Sequence, residues 1–417
     1  MSFIHIQGGI ALQGKVRVQG SKNASLPVLA ATLLVGECSV IKNCPRIADV
    51  YAMVSLLRGL GCEVAWQEQG ILVDSSMVRR EEMRSEAVTG MRSSLCLLGA
   101  LLGRCGEAVM EYPGGCVIGR RPIDMHLAAL GSMGVIFREE SGLLHAVAPQ
   151  LHGAEIVLER QSVGATENVI LAGVMAEGDT ILHGASKEPE VVALCRYLQQ
   201  CGADIEGEGT DCLTIRGGCA LYGTPLRAPP DRIVAGTYLF GCIGAGGSIF
   251  LEDAPGEELS EVLRVAEQMG GHTCISKEGI YVQAPEKPRA VGFIKTAPYP
   301  GFPTDLQSVA LAVSTVGDGE TEIVETIFEN RFRIAEELKK MGASVELLDE
   351  RRALVHPVSS LAGAHVTARE LRGGAALVVA GLLARGETVV DGCSYIYRGY
   401  ENICRDFREL GARVISV

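Results

Sequence analysis

An apolar helical pattern that closes on a glycine, followed by an alternating strand-like run, recurs six times along the 417-residue chain. The closing glycines are spaced roughly 70 residues apart, which is typical of a repeated supersecondary unit. Each stands where the end of a helix requires a left-handed residue, a conformation that glycine adopts without strain. They are Gly61, Gly134, Gly202, Gly270, Gly342 and Gly411. The pattern predicts an architecture of six repeated units.

Each repeat contains a second helix that is rich in small and apolar residues on every side. A tight turn and a β-branched strand follow it, as in "NASLPVLAATLLVGECSVI" and "GGAALVVAGLLARGETVVDG". A helix that is apolar all round belongs in the interior of a protein. We therefore predict an α/β protein with helices at the centre and sheets outside them, the reverse of the usual α/β layering.

Six repeats most simply form two domains of three. Pro229 and Pro230 in "LRAPPDRI" break both helix and strand, so a boundary is expected there. The first repeat begins after "GSKN", and the predicted domains are residues 21–229 and residues 1–20 plus 230–417. The N-terminal strands are then expected to pair with the last repeat, and the chain to cross between domains near Gly20 and near Pro230.

Composition excludes several classes of protein. A formal net charge of −12 argues against a general nucleic-acid binder, because phosphate backbones require a basic face. The 14 cysteines contain no C-x-x-C pair, so neither a zinc site nor a disulfide framework is indicated. The start "MSFIHIQGGIALQG" lacks the pattern of a signal peptide, and no apolar run reaches transmembrane length. We expect a cytoplasmic protein with reduced thiols; the oligomeric state stays open and is compatible with a monomer.

Polar side chains cluster at the starts of the central helices. Such residues often serve only as caps or as solvated charges. Basic residues, however, are poor partners for the positive end of a helix, so several of them there suggest a bound anion between helix and side chain. The candidates are Lys22, Asn23, Arg92, Asp305 and Arg372, with Arg398 in "YIYRGYENI" nearby.

One thiol stands apart from the others. A cysteine is usually a small buried hydrophobe, as expected for Cys96. Cys116 instead lies in "YPGGCVIGRRPID", where Pro113–Gly115 predicts a polar loop and where Arg120 and Arg121 favour the thiolate. A buried and a chemically active thiol both remain open for Cys116 on this pattern alone.

Taken together, these segments resemble the UDP-N-acetylglucosamine enolpyruvyl transferase family. The similarity runs along the whole chain and keeps order and spacing. Its markers include "GSKNASLP", "MRSSLCLLG", "PGGCVIGRRPID", "SVGATEN", "KEPEV", "TAPYPGFPTDLQ", "FENRF", "LRGGAALVVAG" and "YRGYENI". The resemblance implies two inside-out α/β barrel domains of three repeats each, with the active site in the cleft between them. The cysteine loop is specific, because the sister enzymes acting on shikimate phosphate share the fold but lack it.

The resemblance also implies an activity. The family transfers the enolpyruvyl group of phosphoenolpyruvate to the 3′-hydroxyl of UDP-N-acetylglucosamine, releases phosphate, and so commits the sugar nucleotide to peptidoglycan synthesis. No metal or organic cofactor is implied, and no membrane or nucleic-acid partner. Two alternatives stay open: a shikimate-3-phosphate enolpyruvyl transferase, and a catalytically silent paralogue that binds the sugar nucleotide and regulates a partner.

Residue roles follow from the resemblance in the same way. Cys116 is implied as the proton donor, and Asp305 as the base. The thiol of Cys116 can also form a covalent adduct with phosphoenolpyruvate and is alkylated by fosfomycin in this family. The phosphoenolpyruvate anion is assigned to Lys22, Arg121, Arg372 and Arg398, and Lys22 and Arg398 are implied as catalytic residues as well. The sugar nucleotide is assigned to Asn23, Arg92, Arg121, Pro122, Ile123, Asp124, Met125, Arg160, Gln161, Ser162, Val163, Asp305 and Ile327.

Three positions depart from the family pattern. Arg120 stands where a small residue is common, so two neighbouring arginines compete for the anion. The role is assigned to Arg121 because the family's arginine directly precedes proline. Val234 replaces a common glutamate, which puts polar contacts between the domains there in doubt. Met125 for leucine conserves volume and should be harmless.

Overall fold

The computed structural model describes residues 3–68, 70–112, 119 and 122–417. The chain divides into two compact units. The described residues of 1–19, 117–120 and 230–417 form one of them, which we call the split unit. The described residues of 20–116 and 121–229 form the other, which we call the inserted unit.

Fourteen helices are present in the described residues. They are α1 (Lys22–Val35), α2 (Ala48–Gly59), α3 (Glu86–Gly90), α4 (Cys96–Cys105), α5 (Asp124–Ser132), α6 (Val163–Gly173), α7 (Pro189–Gln200), α8 (Arg232–Ala245), α9 (Ser260–Gln268), α10 (Thr304–Ser314), α11 (Ile334–Lys340), α12 (Leu371–Leu383), α13 (Cys393–Ile396) and α14 (Ile403–Glu409). Short 3₁₀ turns precede α4, α9 and α11 at Arg92–Leu95, Gly256–Leu259 and Arg331–Arg333. None of these helices is both long and apolar enough to cross a membrane.

Twenty-four strands accompany them in the described chain. The first half contains β1 (Ile4–Gln7), β2 (Leu12–Arg17), β3 (Cys38–Lys42), β4 (Glu63–Gln67), β5 (Gly70–Asp74), β6 (Glu82–Met83), β7 (Glu107–Glu111), β8 (Ile136–Glu140), β9 (Leu143–Val147), β10 (Glu155–Val157), β11 (Asp179–His183) and β12 (Asp204–Glu206). The second half contains β13 (Cys212–Arg216), β14 (Pro225–Arg227), β15 (Gly247–Glu252), β16 (His272–Ser276), β17 (Gly279–Gln283), β18 (Gly292–Lys295), β19 (Thr321–Val324), β20 (Ser344–Asp349), β21 (Arg352–His356), β22 (His365–Thr367), β23 (Glu387–Asp391) and β24 (Arg413–Ser416).

The described strands form six four-stranded sheets, three in each unit. Strand order is β14-β3-β5-β4, β6-β7-β9-β8 and β10-β11-β13-β12 in the inserted unit. In the split unit it is β16-β17-β15-β2, β18-β19-β21-β20 and β22-β23-β1-β24. Every sheet joins one parallel pair to two antiparallel pairs, as β18-β19, β19-β21 and β20-β21 illustrate. One folding unit is therefore used six times.

The two N-terminal strands complete sheets of the split unit. β1 pairs antiparallel with both β23 and β24, which confirms the expected pairing with the last repeat. β2 differs from that expectation, because it pairs in parallel with β15 of the fourth repeat. Each of these two sheets would lack one strand without residues 4–17.

The long apolar helices lie at the centre of each unit, with the sheets outside them, as predicted. α1, α4 and α6 pack together in the inserted unit, and α8, α10 and α12 do so in the split unit. Almost every side chain of these helices is buried, and each trio belongs to its own hydrophobic core. The shorter helices α2, α5, α7, α9, α11 and α14 carry both buried and exposed residues. The α/β class with central helices and outer sheets is confirmed.

The glycines that defined the repeat end helices in the left-handed region. Their φ angles are 92°, 90°, 112°, 89°, 85° and 85° in chain order. The N–H group of Gly342, for example, bonds to the carbonyl of Lys339 in the last turn of α11. Their expected role as left-handed helix ends is confirmed.

Another glycine allows two central helices to touch. A Cβ atom at Gly99 in α4 would lie 2.5 Å from the backbone oxygen of Asn168 in α6, and 2.8 Å from its Oδ1 atom. At Gly131 in α5, by contrast, no atom of the described chain beyond the adjacent residues and the local helix backbone lies within 4 Å of the corresponding position. Alanine substitutions at these two glycines can therefore distinguish the effect of helix packing on stability from the effect of helix propensity.

We predict opposite effects of alanine at these two glycines. Gly99→Ala should lower the free energy of unfolding by roughly 1–3 kcal/mol, because α4 and α6 must separate to admit the methyl group. Gly131→Ala should raise it by about 0.5–1 kcal/mol, because alanine is the better helix former. Urea denaturation checks both. Equal effects at the two positions would contradict the close contact of α4 and α6.

Candidate active site

Lys22 is fixed at the start of α1 in the inserted unit. Ser21 caps this helix, its Oγ atom accepting from the N–H group of Ala24 at 3.3 Å. The Nζ atom of Lys22 lies 2.6 Å from Oδ2 of Asp49, and the two side chains are only 12% and 6% exposed. Asn23 follows in the first turn of the helix and is half-buried. The predicted helix start is confirmed. The sequence pattern offers no signal for Asp49, because pairing between separate helices leaves no periodicity.

Arg92 opens the 3₁₀ turn that leads into α4, the second central helix. Its Nη2 atom donates to the carbonyl oxygen of Pro122 at 3.1 Å. Pro122 and Ile123 directly precede α5. The structure thus joins Arg92 to Pro122, two residues that the resemblance assigned to the same substrate.

The predicted nucleotide-binding runs 122–125 and 160–163 lie at the N-terminal ends of α5 and α6. Arg160 Nη2 approaches Asp124 Oδ1 to 3.5 Å, and both side chains are about half exposed. Ser162 caps α6, its Oγ atom accepting from the N–H group of Ala165 at 3.3 Å. α5 and α6 pack against each other, so the two runs are held by neighbouring helices. The N-terminus of a helix favours an anion.

A buried network ties α5 to α6 behind these runs. Asn168 Oδ1 accepts from the N–H group of Gly99 at 2.6 Å, so its Nδ2 atom faces the carbonyl oxygen of Gly164 and Nδ1 of His126. Nδ1 of His126 must therefore be an unprotonated acceptor. Burial and, to a lesser extent, the charge of Arg92 lower the pKa of His126 to about 4. His126 is a neutral structural residue that the sequence pattern does not reveal.

A second buried polar pair lies in the same unit. The thiol of Cys96 donates to Oε2 of Glu167 at 3.2 Å. Burial raises the pKa of Glu167 to about 8, opposed by the hydrogen bond from Cys96 and reinforced by the charges of Glu190 and Glu188. Cys96 is buried as expected, but it is a hydrogen-bond donor as well as a hydrophobe.

Glu167 should make stability depend on pH. Its folded pKa lies above the ordinary value of 4.5, so between about pH 4.5 and pH 8 the folded protein holds a proton that the unfolded chain lacks. Stability should therefore fall as pH rises through this range, by up to about 1.4 kcal/mol per pH unit. Glu167→Gln should remove this slope, because glutamine keeps an acceptor for Cys96 and does not ionise.

Denaturation of both proteins between pH 5 and pH 8.5 provides the measurement. Glu140→Gln, on the exposed strand β8, is the matched control and should follow the wild type. If the free energy of unfolding changed with pH in the same way in the wild type and in Glu167→Gln, Glu167 would not be neutral in the folded protein.

In the split unit, Asp305 lies between two arginines at the start of α10. Arg331 Nη2 lies 2.5 Å from its Oδ1 atom. Arg372 donates from Nε at 3.0 Å and from Nη2 at 2.8 Å to its Oδ2 atom. The side chains of Arg331 and Arg372 are only 1% and 4% exposed. The structure thus joins the predicted residues Asp305 and Arg372 and adds Arg331, which stands in "FENRF" but had been given no role.

Glu370 connects the two arginines. It caps α12, accepting from the N–H groups of Arg372 and Gly373, and its Oε2 atom lies 3.6 Å from Nη1 of Arg331. Burial alone would lower the pKa of Arg372, but Asp305, Tyr400 and Asp231 raise it above its usual value. The guanidinium of Arg372 is therefore charged. Its Nη1 atom is buried and lacks a hydrogen-bond partner among the described residues.

Ile327 lies in a loop that is fastened to the same helix start. Glu325 accepts from the N–H groups of Ile327 and Phe328 at 2.7 and 3.1 Å. The other oxygen of Glu325 accepts from the hydroxyl of Thr304, the first residue of α10, at 2.8 Å. The buried carboxylate of Glu325 therefore holds the Ile327 loop against the helix that carries Asp305.

The remaining candidates are placed as follows. Arg398 is half-buried between α13 and α14, two residues before the buried Tyr400. Cys116, Arg120 and Arg121 lie outside the described residues. Within the part of the chain that the structure describes, no group of three or more His, Cys, Asp or Glu side chains could hold a metal ion. The two units thus carry separate sets of candidate residues, and Lys22, Arg92, Asp305 and Arg372 lie at or just before the starts of central helices.

Comparison with known proteins gives a consistent result. A family model described as EPSP synthase (3-phosphoshikimate 1-carboxyvinyltransferase) matches residues 6–407. The chain is 42% identical over 417 residues to UDP-N-acetylglucosamine 1-carboxyvinyltransferase 2 of Caldanaerobacter subterraneus, with 100% of both chains covered. It is 43% identical, with the same coverage, to UDP-N-acetylglucosamine 1-carboxyvinyltransferase of Oleidesulfovibrio alaskensis.

Two solved structures share the fold. The enolpyruvyl transferase NikO from Streptomyces tendae superimposes with a TM-score of 0.88 at 24% identity, covering 100% of this chain and 99% of that one. An EPSP synthase from Acinetobacter baumannii gives 0.76 at 18% identity, with 100% of both chains covered. At these identities the likeness concerns the fold alone.

Proposed function

The chain belongs to the UDP-N-acetylglucosamine 1-carboxyvinyltransferase family, and we propose that it transfers the enolpyruvyl group of phosphoenolpyruvate to the 3′-hydroxyl of UDP-N-acetylglucosamine. Phosphate is the second product, and the reaction is the first committed step of peptidoglycan synthesis. The observation that carries the proposal is the identity of 42–43% along the entire chain to proteins of this name. Shikimate 3-phosphate is the less favoured acceptor, because two EPSP synthase structures from Acinetobacter baumannii are only 18% and 19% identical to this chain.

The chemistry requires a proton donor, a base and cations. The enolpyruvyl group keeps its double bond, so a proton added to the methylene carbon on attack by the hydroxyl must be lost again when phosphate leaves. We assign the donor to Cys116 and the base that takes the hydroxyl proton to Asp305. The paired arginine Arg372, with its spare Nη1 atom, supports an anion-binding role for this residue. No metal is required for these steps.

Cations and helix ends bind the two substrates in this proposal. Phosphoenolpyruvate is held by Lys22, Arg121, Arg372 and Arg398. The sugar nucleotide is held by Asn23, Arg92 and Ile327 and by the runs 121–125 and 160–163. The N-termini of α5 and α6 support the assignment of the diphosphate to these runs, because the N–H groups at the start of a helix favour an anion. Neither unit carries all of these groups, so the reaction requires both.

A phosphate-release assay tests the function. The protein should release phosphate from phosphoenolpyruvate with UDP-N-acetylglucosamine as acceptor and should not do so with shikimate 3-phosphate. Cys116→Ala should lower turnover by roughly 10²–10⁴-fold, the usual cost of losing a general acid. Cys116→Asp should keep measurable activity, with a changed pH profile and without capture by fosfomycin, because a carboxylic acid still donates a proton.

Cys274→Ala serves as the matched control, since Cys274 is an exposed thiol on β16. It should retain wild-type turnover. Binding of the sugar nucleotide without any phosphate release would favour the silent paralogue. Wild-type turnover in Cys116→Ala would remove this thiol from the mechanism.

A further prediction separates binding from chemistry at Asp305. Asp305→Ala should abolish phosphate release while UDP-N-acetylglucosamine affinity stays within about tenfold, because a base acts chiefly in the transition state. Asp305→Asn should behave alike and keep the shape of the side chain between Arg331 and Arg372. Calorimetric titration measures the affinity of each folded variant. Complete loss of nucleotide binding in both variants would make Asp305 a ligand instead of a base.

A further inference from the structure

The two arginines that bind Asp305 are not equivalent. Arg331 lies against Oδ1, and Arg372 holds Oδ2 through two nitrogens. They also come from different elements, the 3₁₀ turn before α11 and the first turn of α12. The carboxylate is therefore oriented from two independent directions.

Arg331 uses its guanidinium entirely within the fold. Its Nε atom donates to the hydroxyl of Thr304 at 3.3 Å, Nη1 faces Glu370 at 3.6 Å, and its plane lies over the ring of Phe328 at 5.4 Å. No nitrogen of Arg331 is among the buried atoms without a partner in the described chain. With 1% of its side chain exposed, Arg331 has no surface to offer a substrate.

Arg372 differs in this respect. It is as deeply buried as Arg331, yet its Nη1 atom has no hydrogen-bond partner in the part of the chain that is described. A buried donor without a partner is costly, and a bound anion would satisfy it. Arg372 can therefore serve Asp305 and a substrate at once.

We propose that Arg331 is the positioning residue for the base: it holds Oδ1 of Asp305, keeps the carboxylate ionised and touches no substrate. The proposal rests on the role of Asp305 in the proposed function. Oδ2 is then the oxygen that accepts the hydroxyl proton, since its partner Arg372 also serves the phosphoenolpyruvate anion.

The charges around Asp305 explain why Arg331 governs its ionisation. The carboxylates of Asp305 and Glu370 lie against the guanidinium groups of Arg331 and Arg372. Glu325 accepts a hydrogen bond from the hydroxyl of Thr304, which in turn accepts one from Nε of Arg331. Asp231 at the start of α8 and Tyr400 in the α13–α14 connection raise the pKa of Arg372. Without Arg331, Asp305 would lose the cation that lies against Oδ1, and its ionised form would be disfavoured.

Two substitutions at Arg331 test the proposal. Arg331→Gln removes the charge, whereas Arg331→Lys keeps it but loses the planar fork that also reaches Thr304 and Glu370. In Arg331→Gln we expect kcat to fall on the order of 10²-fold, as for a misplaced catalytic group. The acid limb of the pH–rate profile should move to higher pH, because the base is active only when deprotonated. Arg331→Lys should lower kcat with a smaller displacement of the limb.

Binding and folding are measured beside the kinetics. UDP-N-acetylglucosamine affinity should stay within about tenfold in both variants, because Arg331 contacts no substrate. Arg352→Gln is the matched control, since Arg352 is a half-exposed arginine of β21 whose Nη2 atom pairs with Glu322 at 2.7 Å. It should leave kcat and the pH profile unchanged. Circular dichroism and thermal denaturation restrict the comparison to variants that are folded at the assay temperature.

A readout that does not need activity keeps this inference separate from the proposed function. In aspartate-labelled protein, carboxyl ¹³C NMR should show the Asp305 titration midpoint about 1 pH unit or more higher in Arg331→Gln than in the wild type. The signal is assigned with Asp305→Asn. If the wild type releases no phosphate but this shift is present, only the proposed function fails.

The following outcomes would overturn the role of Arg331. One is a folded Arg331→Gln with a wild-type pH profile and titration midpoint. Another is loss of nucleotide binding in parallel with kcat, which would make Arg331 general structural support. If Arg331→Gln does not fold, Arg331→Lys decides: wild-type kcat together with a wild-type acid limb would disprove the proposal.

Discussion

The burial of three apolar helices in each unit is the constraint on which the rest of the structure depends. A central helix that is covered on every side by sheets and other helices has no face left for a functional group. Polar chemistry is therefore confined to the helix ends, where backbone N–H groups are unsatisfied and require partners. Lys22, Arg92, Asp305 and Arg372 all lie at such positions. The candidate active-site residues follow from the layering of the fold.

Much of this layering could be predicted from the sequence, because it is encoded locally. The left-handed helix ends at Gly134 and Gly342 follow from the conformational freedom of glycine, and the central position of α12 follows from its apolar composition. The starts of α1 and α10 could be placed as well. Local patterns could not identify the strand that pairs with β2, which is β15. The repeats have similar sequence patterns, so several of them offer an edge strand with which β2 could pair.

The partners of the candidate residues were beyond prediction for a related reason. Asp49 reaches Lys22 from another helix, Arg331 reaches Asp305 across 26 residues, and His126 reaches Asn168 across 42. None of these pairs has the i, i+4 or alternate spacing that a sequence shows. Glu167 is a further case, because only the complete core reveals that its carboxyl is withdrawn from water. Long-range electrostatics is set by tertiary packing and requires coordinates.

The position of buried cations in the first turn of a central helix also explains why they are paired with carboxylates from other helices. A lysine or arginine in the first turn meets the positive end of the helix dipole, and burial adds the cost of removing its charge from water. Lys22 and Arg372 each meet this condition, and each is paired with a carboxylate from another helix, Asp49 or Asp305. At α12, Glu370 adds a second compensation by capping the helix. Because each pair joins two elements, the groups suited to holding a substrate anion also fasten neighbouring elements together. Replacing one of these cations therefore alters local packing as well as anion binding, which is why a charge-conserving variant is the informative comparison.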